Sequence, residues 1–598
     1  MKLTGGEIVA RALSEYGVKY IAGIPGHGNW SLTDAFLQEG CDVKFIQVMH
    51  EQSAIHMADG YYRACGKPMA ATTSVGPGAT NTVIGLATAY ADSTSVFYIN
   101  GSPATHMKGH GVMQELERRR ENSFPKIMEE VTKRSYTPVR VEEVPFVMHR
   151  AFNTMLSGRP GPVHVELPMD LQCDAAEVSI HDLKKRMPVG VAYPDPRAVH
   201  AAAALLKTAK RPVLCAGGGA IAADASEALT KLAERLGAAV SFTWNGKGAI
   251  SEDHELCVGP VGQTGTSSGN GITASADVVV SVGCRFTDWS ASSYAKGVSF
   301  SIPPAKLIHI DLDPHEIGKN YETEVGIVAD ARATLEALLS AIGEGDSGRA
   351  ERGAFHEDIR KAKAEWEAMI APRRDSTESP FTSQHPLKVL REVMDRDGIV
   401  TVGSGNTQGA VKQSFPVYKP RTHLTSGSFS PMGWAYPAAL GAKLACPDKQ
   451  VVSILGDGDF MMCAPEMGVA VMNNIPVVAM VQNNSGYMSI RGGQRKFQGR
   501  HIGSEFNRHA GNGEPYTADI TDMAKSFGMH AVKATTSEGL RAALKEALAL
   551  GKPALIEAIT SRDAAGPFPL GWWDFPSPAY YEDEQAAYAE MRAKEQHF

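Results

Sequence analysis

Short apolar runs alternate with longer amphipathic stretches along most of this chain, and that alternation predicts its architecture. Within residues 1–175 the runs at 20–24, 43–48, 70–73 and 96–99 are separated by stretches with helical spacing, and "PVHVEL" at 162–167 closes the series. Strands alternating with helices imply a parallel sheet covered on both faces. The polar, proline-containing stretch 184–196 reads as a linker. A second block, 190–343, opens with the strand and glycines of "RPVLCAGGGA" and continues through "ADVVVSVGCRF" and "KLIHIDLDPHEIGKN". Residues 344–385 carry a charged helix without an apolar strand and are expected to form a connection. A third block, 386–559, contains "GIVTVGSG", "VVSILGDGD", "PVVAMVQNN" and "PALIEAI". The expectation is an α/β protein of three tandem doubly wound parallel-sheet domains. The remaining residues, 560–598, hold "GPFPLGWWDFPSPAYYEDE", whose aromatic and proline content predicts an ordered C-terminal tail.

Composition narrows the function classes. With 59 basic against 66 acidic residues in 598, the chain has no global field that would gather nucleic acid or an anionic membrane. Its eight cysteines never form a C-x-x-C pair, which argues against a zinc ribbon or dithiol redox motif and fits reduced thiols in the cytoplasm. The N-terminus lacks the unbroken apolar run of a signal peptide, and no run of ~18 apolar residues follows, so neither secretion nor a membrane span is expected.

The strongest chemical signal is Gly456-Asp457-Gly458, followed after 24 residues by Asn483-Asn484. Each group ends an apolar strand, and parallel neighbouring strands deliver both turns to one sheet edge, where open α/β sheets bind ligands. Asp457, the Asn484 amide oxygen and the backbone carbonyl of Gly486 would give three oxygen ligands. Magnesium favours octahedral oxygen coordination shared with phosphates, so the spacing predicts Mg²⁺ bridging a diphosphate.

This pattern resembles the thiamin diphosphate enzymes, and the block order is similar to their acetohydroxyacid synthase, pyruvate oxidase and glyoxylate carboligase branch. The resemblance makes the three blocks pyrimidine, central and diphosphate domains. It implies that Glu51, in "MHEQSAIHMADGYYRA", activates the aminopyrimidine from the partner subunit, and hence a homodimer or homotetramer with active sites between subunits. Met432, in "SPMGWAYPAALGAK", matches the large apolar residue beneath the cofactor. Ser404, Gly405, Asn406 and Thr407, in "TVGSGNTQGA", match the diphosphate loop, and Gly456, Gly458, Asp459, Tyr487 and Met488 join the cofactor-binding set around the metal ligands. On the substrate side His27 and Asn29 of "GIPGHGNW" and Gln114 of "GHGVMQE" are candidates, with His50 and His110 behind them. The arginines at 118–120 and the cluster Arg491, Arg495, Lys496 and Arg500 read as solvated faces, or as a clamp for a carboxylate, phosphate or coenzyme A tail if they enter the cleft.

The central block matches a FAD- or ADP-binding pattern at Gly217–Gly219, Arg285, Phe286 and 310–320, but "RFTDWS" stands where the synthases carry "RFDDR". The loop after the Asn pair, "SGYMSIRGGQRKFQGRH", holds no tryptophan, and Met169 stands where those synthases tend to carry lysine. The reading is a thiamin diphosphate- and Mg²⁺-dependent carbon–carbon lyase or carboligase, acetolactate-synthase-like on a 2-ketoacid. Alternatives are a 2-hydroxyacyl-CoA lyase or oxalyl-CoA decarboxylase-like enzyme, in which the tail is the candidate active-site lid, and a cyclic 1,2-dione hydrolase suggested by "GHGN". A nicotinamide dehydrogenase would leave the Gly-Asp-Gly and Asn-Asn pair without a role.

Overall fold

The structure is a computed structural model of the chain and describes residues 1–118, 124–188, 190–345, 348–509, 513–563 and 566–595. Three six-stranded sheets dominate it, each parallel throughout. The first runs Lys44–Gln47, Tyr20–Gly23, Met69–Thr73, Val96–Ser102, Val163–Pro168, Ser135–Tyr136. The third runs His423–Thr425, Ile399–Val402, Val451–Gly456, Val478–Asn483, Ala554–Ile559, His530–Ala534. Numbered along the chain, both have the order 2-1-3-4-6-5. The middle sheet runs Cys257–Pro260, Ala239–Phe242, Pro212–Ala216, Val278–Val282, Lys306–Asp311, Val325–Val328, the dinucleotide-fold order 3-2-1-4-5-6.

The strands read as near-continuous apolar runs because helices cover both faces. Val278–Val282, "VVVSV", is buried at every position. Outer-face packing in the first domain centres on Ile8, Leu13, Phe97 and Phe152. Its inner face shares one continuous core with the third domain, in which Ile55, Met57 and Tyr61 meet Trp434, Tyr436, Leu440 and Phe460. The helices Glu51–Cys65 and Ala435–Ala445 cross there at backbone contact. A Cβ at Gly60 would stand 2.2 Å from the Ala438 carbonyl oxygen, and one at Gly441 would stand 1.9 Å from that of Met57. Only glycine permits that approach.

The segment 344–385 does more than connect. Its helix Gly353–Arg374 buries Phe355 and Ile359 in a central-domain core with Val279 and Leu307. Few apolar positions among many charges hid this face from the sequence pattern. Within the tail, residues 566–595 pack against the central domain, with Gly571 N–H donating to the Gln263 carbonyl at 3.0 Å and Asp574 N–H to Ser293 Oγ at 2.8 Å. A helix, Glu582–Arg592, follows. All eight cysteines are free thiols. Among the described residues no helix is long and apolar enough to cross a membrane.

Candidate active site

In a sheet ordered 2-1-3-4-6-5 the chain leaves strands 1 and 3 in opposite directions, and the crevice between their carboxyl ends is the natural ligand position. In the third domain those ends deliver the segment 403–407 after Ile399–Val402 and Asp457 after Val451–Gly456. The next strand, Val478–Asn483, delivers Asn484. Gly405, at φ 87°, turns the chain into the helix Asn406–Ser414, whose first N–H groups open towards this crevice. Thr407 is buried just inside that helix, and a Cβ on Gly456 would lie 3.9 Å from its Oγ1.

Asp457 is almost fully buried. One of its oxygens accepts the Gly486 N–H at 3.1 Å, while burial pushes the carboxyl up to about 6. Beside it, Asn484 Oδ1 is buried without a hydrogen-bond partner. Such an orphaned oxygen is unfavourable unless a ligand meets it. The Asp457 carboxylate and the Asn484 amide oxygen are hard-oxygen groups in one turn region, and Gly486 meets Asp457 through its N–H; among the described residues no three His, Cys, Asp or Glu side chains gather as an alternative metal centre. Gly458 leaves room for Tyr487, since a Cβ there would fall 2.5 Å from the Tyr487 ring, and Met488 is buried against Gly486.

Asp459 faces inward. Its two oxygens accept the N–H groups of Ser404 at 2.8 Å and Gly433 at 2.5 Å, so it ties the segment 403–407 to the residue after Met432. Burial pushes this carboxyl up to about 6 as well. Ser404 Oγ donates to the Ser430 carbonyl at 3.0 Å, adding a second tie. Met432 is half-buried between them.

The first domain presents its candidates on the equivalent edge. Glu51 is the first residue of the helix Glu51–Cys65 and accepts Asn81 Nδ2 at 2.9 Å. His27 is half-buried in the turn after Tyr20–Gly23. In that same turn Asn29 is wholly buried, accepting Gly26 N–H at 2.8 Å and donating to Thr72 Oγ1 at 3.3 Å, which makes it a turn lock. Gln114 is exposed, at φ 67°, with its backbone against Gly76. His50 caps the Glu51 helix by accepting Gln52 N–H, and His110 is exposed. Among the described residues, no hydrogen bond or ion pair joins Glu51, His27 or Gln114 to Ser404, Met432, Asp457 or Asn484.

Between the domains lies a cavity of about 980 Å³. It reaches from Gly217–Gly219 and Gly283 of the central domain to Ser404 and Ser430 of the third, with Trp573 of the tail in its wall. Gly217 is held at backbone contact with Gly283, whose carbonyl oxygen a Cβ would approach to 2.0 Å.

Residues 3–121 fit the N-terminal TPP binding domain of thiamine pyrophosphate enzymes, 199–338 the central domain, and 403–558 the C-terminal TPP binding domain. A probable acetolactate synthase large subunit of Methanocaldococcus jannaschii is 34% identical over 569 residues, covering 93% of this chain and 92% of that one. The chain belongs to the thiamine pyrophosphate enzymes, on their acetolactate-synthase-like branch. The acetolactate synthase large subunit of Haemophilus influenzae is 30% identical over 576 residues, covering 95% and 96%. Isozyme 3 of Escherichia coli is 32% identical over 552, covering 91% and 92%.

Several features of this thiamine pyrophosphate enzyme were not visible in its sequence. Glu466, from the third domain, accepts the N–H groups of Met49 at 3.3 Å and His50 at 3.1 Å, directly before Glu51. Trp573 and Trp289 meet edge to face at 5.0 Å in the cavity wall, a position that no local pattern announces. Arg491 is buried, paired with Glu505 at 2.5 Å and Asp563 at 3.0 Å, and is a structural cation. Arg118 is exposed, while Arg119 and Arg120 lie outside the described residues. Arg285 donates to the Ala91 carbonyl at 2.7 Å and stands 3.7 Å from Asp92, so it serves the domain boundary, and Phe286 is core.

Proposed function

We propose that this enzyme is a Mg²⁺-assisted carboligase that takes a 2-ketoacid as donor, as the names of its acetolactate synthase relatives suggest. The observation that carries the reading is the orphaned Asn484 Oδ1 beside the buried Asp457 carboxylate, at the crevice where the chain winding reverses. Asp457, Asn484 and the Gly486 carbonyl would hold Mg²⁺, and Ser404, Gly405, Asn406 and Thr407 would receive the diphosphate oxygens through hydroxyl, amide and backbone donors. When bound, thiamin diphosphate supplies the electron sink for making or breaking a carbon–carbon bond next to a carbonyl. Met432 would brace the cofactor, Tyr487 and Met488 would line its site, and Glu51 would hold the proton exchanged with its pyrimidine ring. His27 and Gln114, at the edge of the first sheet, would serve the substrate side.

Among the described residues no hydrogen bond or ion pair joins Glu51 itself to Asp457 or Asn484, and the assembly in keeping with this reading is a homodimer or homotetramer with active sites between subunits. The eight free thiols suit a reducing compartment such as the cytoplasm. The central cavity, with its crossing glycine turns at 217 and 283, has room for FAD or ADP.

Product analysis tests the reading. The protein reconstituted with thiamin diphosphate and Mg²⁺ should release CO₂ from pyruvate and form acetolactate, and Glu51→Gln should not. Pyruvate left unconsumed would overturn the 2-ketoacid assignment and direct the next assay to 2-hydroxyacyl-CoA cleavage.

A further inference from the structure

One charge cluster at the three-domain junction has no part in the chemistry above, and all of it is buried. Asp59 and Arg63 lie four residues apart on the Glu51–Cys65 helix, with Arg63 Nε donating to Asp59 Oδ1 at 2.8 Å. Arg63 Nη2 reaches Asp92 Oδ2 at 3.1 Å. Both carboxylates are fully buried, and the guanidinium is nearly so. Burying such a group is unfavourable unless its partners are well placed, so the question is what the cluster holds.

It holds the segment 425–434, which carries Met432. At the start of that segment Arg63 Nη1 donates to the Thr425 carbonyl at 2.6 Å. Three residues on, the Ser428 N–H donates to Asp92 Oδ1 at 3.1 Å. At its end Trp434 Nε1 donates to Asp59 Oδ2 at 2.7 Å, and the Arg63 guanidinium lies 5.3 Å from the Trp434 ring centroid. The approach is close in between, where Gly427 has φ 55° and a Cβ on it would fall 2.6 Å from Asp92 Oδ2 and 2.4 Å from Asn245 Nδ2. Asn245 of the central domain also donates to Asp92, at 3.2 Å, and Arg285 adds a charge at 3.7 Å. The segment's own domain holds it at Thr425, through strand pairing with Val402 and a 2.6 Å hydrogen bond from Gln408, at Ser430, through Ser404 and Gln408, and at Gly433, through Asp459. Every other anchor named here comes from across a domain boundary.

We propose that Asp59, Arg63 and Asp92 are positioning residues for Met432: from the first domain they pin both ends of its loop and so set the height and angle at which its side chain meets the cofactor. This rests on the placement of thiamin diphosphate over Met432 given above. A displacement near 1 Å at a reacting centre is enough to slow a step by about 100-fold, so a loop pinned by charges in another domain makes reactivity depend on how the domains are seated.

The test uses full-length protein with thiamin diphosphate and Mg²⁺ and reads three quantities: the rate of hydrogen–deuterium exchange at C2 of the bound cofactor, its Kd by calorimetry, and the melting temperature. In Asp92→Ala the exchange rate should fall by roughly 10- to 100-fold, while Kd, set by the metal and diphosphate contacts, stays within about threefold. Asp92→Asn, which keeps an acceptor for Ser428 N–H, should recover part of that rate. Trp434→Phe removes one pin while keeping most of the ring, and carries the same test if Asp92→Ala does not fold. In a Met432→Ala background the Asp92 substitution should have no further effect on exchange. Leu232→Ala, a core truncation in the central domain, should lower the melting temperature without moving the exchange rate.

Exchange in folded Asp92→Ala and Trp434→Phe that equals wild type overturns the proposal. So does an Asp92 effect that persists undiminished without Met432, or an equal loss of exchange in Leu232→Ala. A wild-type protein that binds the cofactor without exchanging C2 overturns the functional reading itself, a result the variants cannot mimic.

Discussion

Glu466 and His50 sit on different domains, yet the Glu466 carboxylate accepts the His50 backbone N–H at 3.1 Å, one residue before Glu51. The same carboxylate accepts Met49 N–H at 3.3 Å. A buried acid from the third domain thus fixes the turn that aims Glu51.

Burial, the larger influence, pushes the Glu466 carboxyl up to about 7, against the opposing pull of its donors Ser53, Met49 and His50. An acid whose folded pKa is raised contributes stability that is complete below its unfolded value, near 4.5, and is lost as pH rises through the folded value. Wild type should therefore lose stability relative to Glu466→Gln between pH 5 and 8, by an amount on the order of 3 kcal/mol. Paired melting curves across that range check this; a difference that is flat with pH would remove the Glu466 assignment.

Asn484→Leu separates the metal from the fold. Removing an orphaned buried oxygen should leave the apoprotein melting no lower than wild type. The stabilisation that thiamin diphosphate and Mg²⁺ give wild type, about 2.7 kcal/mol at one hundred times Kd and read as a rise in melting temperature, should vanish in the variant. Retention of that rise would take Asn484 out of the ligand set.

For Glu51→Gln, carboligation should fall by roughly 10²- to 10⁴-fold, the usual range for removing an acid–base group. Cofactor Kd should change little, because the diphosphate and metal contacts lie on another domain. Steady-state rates and calorimetry on one preparation decide the matter.

Gly441→Val addresses the helix crossing. A side chain there must displace the Met57 carbonyl, so the shared core of the first and third domains should open at a penalty of about 2–3 kcal/mol. Thermal unfolding would show it, and an unchanged midpoint would mean that the helices do not meet as described.

Trp573 lines the cavity and packs on Trp289. Its replacement by Ala should weaken the binding of FAD or ADP in that cavity roughly 5- to 10-fold by calorimetry, with kcat nearly retained. A fall in kcat at constant KM would instead place the tail in the chemical step.

Local chemistry explains what was readable in the sequence. The α/β alternation and the turn at Gly456–Gly458 announce themselves because strand burial and glycine turns are properties of a few consecutive residues. Asp59 and Arg63 stand four residues apart on one helix, a spacing that carries no signal of its own; the arrival of Asp92, Thr425 and Trp434 from elsewhere in the chain makes them a junction. Glu466 and His50 are 416 residues apart, and no periodicity reports such a pairing. Arg491 looked like part of a solvated face, until its partners Glu505 and Asp563 closed over it.

The first and third sheets share one winding order. Two scaffolds of the same plan thus stand face to face, one carrying Glu51 and the other Asp457 and Asn484 at the carboxyl ends of their strands. Their division of labour resides in a handful of turn residues at the carboxyl ends of the strands, while the sheets beneath are interchangeable supports. New donor or acceptor preferences are therefore open to this architecture through exchange of those turns alone, provided that the helix crossing at Gly60 and Gly441 stays as close as it is.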